Sequence, residues 1–188
     1  MNELDQKPFT LKVAAALSSA YLALWLPALN EHAMLSATIF ASLILAVGLV
    51  ALSAIDLKTL RLPDALTLPL AALGLLFAAW LGWEPSVWWR FGAAVAGYVV
   101  IWGIAAGYLA LRGRAGIGLG DAKLMSVAGA WLGFEGLPAS LLYACAGALL
   151  YVAIRFAAGR PLDLQEALPF GPFIAAGIWL VWLYGPLL

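Results

Sequence analysis

The chain has 188 residues, of which 65% are hydrophobic and 11% charged, with nine Trp, 19 Gly and no formal net charge. A charged fraction so far below the roughly 25% of soluble domains, with a mean hydropathy of +0.98, points to a protein solvated by lipid. Zero net charge leaves no basic field for nucleic acid, and a single cysteine, Cys145, excludes an internal disulfide and a paired CxxC zinc site.

Taken in order, the first ten residues are polar and are expected at the membrane surface. An apolar run follows over residues 11–29. It is too long for a removable signal peptide and lacks a clear small-residue cleavage site after it. Asn30, Glu31 and His32 break the run, and His32 reads as an ordinary loop residue. A second span covers residues 33–55 and stops at Asp56. The polar stretch from Asp56 to Asp64 contains Lys58 and Arg61. Pro63 suits the first turn of a new helix, and Asp64 complements that helix's dipole. A third span runs over residues 65–81. Trp88, Trp89 and Arg90 open a fourth, reaching about Leu111, with the tryptophans as interfacial anchors.

The next segment is Gly116-Ile117-Gly118-Leu119-Gly120-Asp121-Ala122-Lys123-Leu124. Three glycines in five positions let the backbone turn and approach a neighbour closely, and they end in a carboxylate that opens an apolar run. The run over residues 122–134 is short against the roughly 20 residues of a full crossing. Gly136, Leu137 and Pro138 turn the chain into a sixth span ending near Ile154. Residues 155–166 are polar enough for a surface loop. Leu168-Pro169-Phe170-Gly171-Pro172 then interrupts the backbone before a last span, residues 173–187.

The pattern predicts an all-α, polytopic membrane helix bundle of about seven spans, with six as the alternative. Basic residues orient it. With the N-terminus cytoplasmic, Lys7, Lys12, Lys58, Arg61, Arg112, Arg114, Lys123, Arg155 and Arg160 face the cytoplasm and only Arg90 lies outside, so nine of ten obey the positive-inside rule. Asp56, Asp64 and Asp121 then share the cytoplasmic boundary. Asp56 and Asp121 are 65 positions apart, separated by one hairpin of spans, so their helix ends can meet. The chain offers no Ser-His-Asp set, no metal-ligand cluster and no phosphate loop. Two close carboxylates do not both ionise cheaply, and one protonated beside one ionised can activate water against a carbonyl. The bland reading of each acid is a solvated helix end. It suits Asp64 after Pro63 and the capping position of Asp121, but it suits Asp56 poorly, because a C-terminal carboxylate opposes the helix dipole.

The stretch from Asp56 through Pro63, Asp64 and Thr67 to Pro69 resembles the first conserved segment of type IV prepilin peptidases. Gly118-Leu119-Gly120-Asp121 resembles their G-x-G-D motif, shared with preflagellin peptidases and presenilin-like intramembrane aspartic proteases. Glu166-Ala167-Leu168-Pro169-Phe170-Gly171-Pro172-Phe173 resembles a third segment of the bacterial branch. The resemblance covers about residues 35–188, leaving residues 1–34 as a tail plus first span. It implies that Asp56 and Asp121 are the catalytic pair, with Gly118, Gly120, Lys123, Asp64, Pro169 and Gly171 supporting the site or receiving substrate. It also implies a bacterial inner-membrane endopeptidase that needs no cofactor or metal and works at the cytoplasmic face. Its substrate would be the leader peptide of type IV prepilins or type II secretion pseudopilins, cut after a glycine.

Bifunctional members carry a preceding methyltransferase region, often with paired CxxC zinc ligands. Ten residues precede the first span here, without such a loop or cysteines, so the expectation is cleavage without N-methylation. The expected partners are the pilin substrate and the bilayer. A non-catalytic membrane scaffold or small transporter is the alternative, since broken helices and boundary acids serve transport too. Against it, the halves show no inverted repeat and the acids gather at one face.

Overall fold

The computed structural model describes residues 37–113, 118–159 and 168–186. Among these, five helices form and no strand: α1 (Ala37–Thr59), α2 (Asp64–Leu81), α3 (Val87–Arg112), α4 (Leu119–Ala157) and α5 (Gly171–Tyr184). The first four are long and apolar enough to cross a membrane, whereas α5 has 14 residues. The expected span over residues 11–29 and His32 lie outside the described residues.

Continuous apolar sequence makes α1 a helix, and its two buried serines are satisfied inside it. Ser42 Oγ donates to Thr38 O (2.8 Å) and Ser53 Oγ to Leu49 O (2.8 Å), each returning its hydroxyl one turn back. The helix does not stop at Asp56 as its hydropathy suggests. It continues to Thr59, with the Leu60 N–H donating to Asp56 O at 2.9 Å. Pro63 is not in the first turn of α2 but one position before it, in an extended conformation that leaves Asp64 as the first helical residue.

Helix α4 is the centre of the bundle, packing against α2, α3 and α5, while α1 lies against α2 and α5. Trp131 on α4 and Trp179 on α5 are the largest fully buried side chains. The Trp131 indole donates to Leu70 O (2.8 Å), which satisfies the one polar atom that burial would otherwise strand. Around it, Phe77, Trp83 and Trp182 stand with ring centroids 5.3 to 6.4 Å apart. Large apolar side chains such as Phe40, Leu76, Trp80, Leu111 and Leu149 point outward, as lipid-solvated faces require.

Helix α4 carries two of the expected spans as two halves, and the break between them lies at Gly133 rather than at 136–138. Gly133 has φ +76° and ψ −173°, a region essentially closed to residues with a Cβ. The chain bends there enough to bring Met125 and Leu137 together, since a methyl group placed on Gly97 would touch both. A straight helix would hold those residues about 18 Å apart. Pro138 sits inside the second half, where the sequence suggested a turn. The count of seven spans is not reproduced among the described residues, where four helices are long and apolar enough to cross and the expected first span is not included. Helix hydropathy marks apolar runs, but a single glycine with special dihedrals decides where a run folds back.

Candidate active site

Asp56 lies one turn before the end of α1 and is 6% exposed. Its own helix dipole opposes a charge there, which the sequence already made hard to excuse. The structure answers with another helix. Asp56 Oδ2 accepts the N–H of Gly171 at 3.0 Å, and Gly171 is the first residue of α5. The free N–H groups and positive pole of a helix start thus meet the carboxylate.

Asp121 occupies the first turn of α4, half-buried, with its N–H donating to Gly118 O at 3.1 Å. It lies near enough to Asp56 for the two carboxyl groups to interact electrostatically. No Cα of α1 comes within 8 Å of α4 among the described residues, so the two acids approach through their side chains, with α2 and α5 each packed against both helices.

The connection between α1 and α2 is fastened to the start of α4 at two points. Leu62, buried in an otherwise exposed turn, lies over Gly120, where an added Cβ would come within 3.2 Å of its side chain. Asp64 Oδ1 pairs with Lys123 Nζ, the two side chains being 61% and 28% exposed. Asp64 is thus more than a helix-start carboxylate: it links α2 to α4 beside Asp121. Gly118 is extended (φ −73°, ψ 136°), and a Cβ there would sit at ordinary contact, 3.6 Å, from Asp121 Oδ2. The glycine run therefore serves here by close approach at Gly120 rather than by a left-handed turn at Gly118. Pro169 is half-buried just ahead of α5. Lys58, Arg61 and Arg112 are exposed, and none is drawn between the acids. Gly116, Ile117, Arg114, Arg160 and Glu166 lie outside the described residues.

Sequence reasoning missed Leu62 and the Gly171–Asp56 hydrogen bond. Leu62 carried a readable signal, an apolar residue between Arg61 and Pro63 in a polar connection. The hydrogen bond spans 115 positions and carried none. Arg90, counted only as an exception to the charge rule, is 6% exposed at the opposite end of the bundle. Its Nε donates to Pro85 O (3.2 Å), its Nη2 to Glu84 O (3.1 Å) and its Nη1 to Trp131 O.

The segment from 43 to 153, which holds Asp56, Asp64, Gly120, Asp121 and Lys123, matches the type IV leader peptidase family. The chain belongs to this family. It is similar to the prepilin leader peptidase/N-methyltransferase of Burkholderia pseudomallei, 40% identical over 170 residues, which is 90% of this chain and 52% of that protein. The protein of the same description from Xanthomonas campestris pv. campestris is 42% identical over 147 residues, 78% of this chain and 50% of the relative. The one from Stutzerimonas stutzeri is 35% identical over 180 residues, 93% and 57%. The chain thus spans about half the length of the curated relatives it matches. No solved structure matches it. Within the leader peptidase family match, both acids and the Asp64–Lys123 pair fall inside the matched range, whereas Pro169 and Gly171 fall beyond it.

Proposed function

We propose that the chain is a membrane aspartic endopeptidase that cleaves the leader peptide of type IV prepilins or type II secretion pseudopilins after a glycine. The observation that supports this reading is that Asp56 of α1 and Asp121 of α4 lie at the same end of the bundle, where α5 starts, within electrostatic reach of each other. In the proposed reaction the pair holds one water. One carboxylate takes its proton as it attacks the scissile carbonyl, and the other carboxyl group donates to the carbonyl oxygen. In the collapse the carboxyl group that took the water's proton gives it to the leaving amine, while the other takes a proton back from the gem-diol hydroxyl, so both acids return to their starting protonation states.

The acid end is assigned to the cytoplasm and the peptidase unit to residues 35–188, in a bundle of about seven spans with a cytoplasmic N-terminus. Charge supports the orientation. Lys58, Arg61, Arg112, Lys123 and Arg155 all belong to helix ends on the acid side, whereas Arg90 starts α3 at the other. A basic excess marks the cytoplasmic face, which in a bacterium means the inner membrane. The acid pair accounts for cleavage alone, so its product carries a free N-terminus without N-methylation, the second activity in the relatives' description.

The test is to incubate the purified protein in detergent with a prepilin and follow the pilin by mass spectrometry. A product shortened to the residue after a glycine is expected, and an intact prepilin would contradict the reading. Reporter fusions check the orientation: one after Glu84 should be periplasmic and one after Arg114 cytoplasmic.

A further inference from the structure

Gly171 meets Asp56 in a way unlike the packing glycines of this fold. A Cβ on Gly129 or Gly177 would strike backbone, of Ala93 and Ser140 respectively, so those glycines set how closely helices approach. The three heavy atoms nearest a Cβ on Gly171 all belong to the Asp56 side chain. That Cβ would lie 2.6 Å from Asp56 Oδ2, 2.9 Å from Cγ and 3.2 Å from Cβ. The same residue donates its N–H to that Oδ2 at 3.0 Å. Pro172, the next residue, has no N–H, and Phe173 and Ile174 donate theirs to Phe170 O at 3.0 and 3.1 Å. Gly171 is therefore the N–H at this helix start that is left to hold a carboxylate, and its bare Cα leaves the space the carboxylate fills.

We propose that Gly171 is the positioning residue of the acid pair. Its amide fixes Asp56 Oδ2 and so leaves Oδ1 as the oxygen that meets the water shared with Asp121. This rests on the reading of Asp56 and Asp121 as the catalytic pair. An alanine at 171 pushes the carboxylate away from its place, and a side chain as mobile as aspartate yields by rotating. The Asp56 Cβ, 3.2 Å from the new Cβ, is not moved by that rotation, so α1 and α5 part by only a few tenths of an ångström. Fold and substrate binding then persist while the reacting oxygen is displaced by about 1 Å, a shift that costs on the order of a hundredfold in turnover.

The experiment compares Gly171→Ala with wild type on a synthetic prepilin peptide spanning the leader junction. The expected result is kcat lower by about a hundredfold, with KM and thermal midpoint unchanged. A second variant removes the hydrogen bond without adding a Cβ: glycolic acid in place of Gly171, an ester for the amide, expected to lower kcat by about tenfold. It keeps the test open if the alanine variant does not fold. In the wild-type protein the amide proton shift of Gly171 should move on Asp56→Asn and stay on Asp64→Asn. Wild-type kcat in both Gly171 variants, or an amide shift indifferent to Asp56→Asn, would overturn the inference. If Asp56→Asn and Asp121→Asn themselves cleave at the wild-type rate, the peptidase reading fails instead.

Discussion

At the end of the bundle that carries Arg90, one guanidinium is surrounded by three backbone carbonyls, the ring of Trp83 at 5.7 Å and the countercharge of Glu135. At the other end, among the described residues, Asp56 has one hydrogen bond and Asp64 one partly exposed ion pair. Both ends bury a charge beside helix termini, yet they solve the problem oppositely. The break at Gly133 frees the Trp131 carbonyl at the end of a helical half, and Arg90 takes it up together with the loop before α3. That charge is over-determined and immobile. Among the described residues the acid end satisfies its carboxylates only in part, which leaves lone pairs that the proposed reaction would use to bind water and a peptide. A membrane protein tolerates such under-satisfied acids where the opposite end holds the helices in register.

This contrast can be broken experimentally, and the largest effect belongs to the acids. Asp56→Asn and Asp121→Asn should each lower prepilin cleavage by about 10²–10⁴-fold while protein amount and thermal midpoint in detergent stay near wild type. Next comes Arg90→Ala, which strands buried carbonyls and should destabilise the protein by about 3 kcal/mol, visible as a lowered midpoint and reduced membrane yield. Gly133→Ala should cost about 1–3 kcal/mol for its backbone conformation. The new Cβ also comes within 3.0 Å of Glu135 Oε2. Any activity lost with Gly133→Ala should track the unfolded fraction, because the acids are at the other end. Smallest is Asp64→Asn. Asp64 itself is exposed, and pairs at the surface contribute roughly 0.2–1 kcal/mol, so clear residual cleavage is expected in a rate assay. Rescue by Asp64→Lys combined with Lys123→Asp would show that the link, rather than either charge, is what matters.

The two regions were not equally legible in the sequence. The acid end was largely readable because its residues are polar interruptions of apolar runs, and Asp56, Asp64 and Asp121 stand out against leucine and alanine. What composition could not show was how those residues connect. Lys123 finds Asp64, Leu62 covers Gly120, and Gly171 holds Asp56 only once α2, α4 and α5 are packed. The other end was nearly invisible. Arg90 looked like a stray periplasmic charge, and the glycine that bends α4 was one of several in an apolar stretch. Pro138 drew the turn to the wrong place, because a proline tolerated inside a helix and one that ends it look alike in sequence. Helix α1 outran its apolar run for a similar reason: Asp56, Lys58 and Thr59 are polar, but Leu60, with φ +52°, is what stops the helix.

The central claim is that Asp56 and Asp121 act as one unit on one peptide bond. Its most direct measurement sets the single Asn variants beside Asp56→Asn/Asp121→Asn in the same purified, detergent-solubilised assay on a prepilin. Groups that share one water and one step are not additive. The account therefore predicts that the double variant cleaves no more slowly than either single one, with all three far below wild type. Losses that multiply would mean that the acids contribute separately, and cleavage persisting in all three would mean that they do not perform the chemistry.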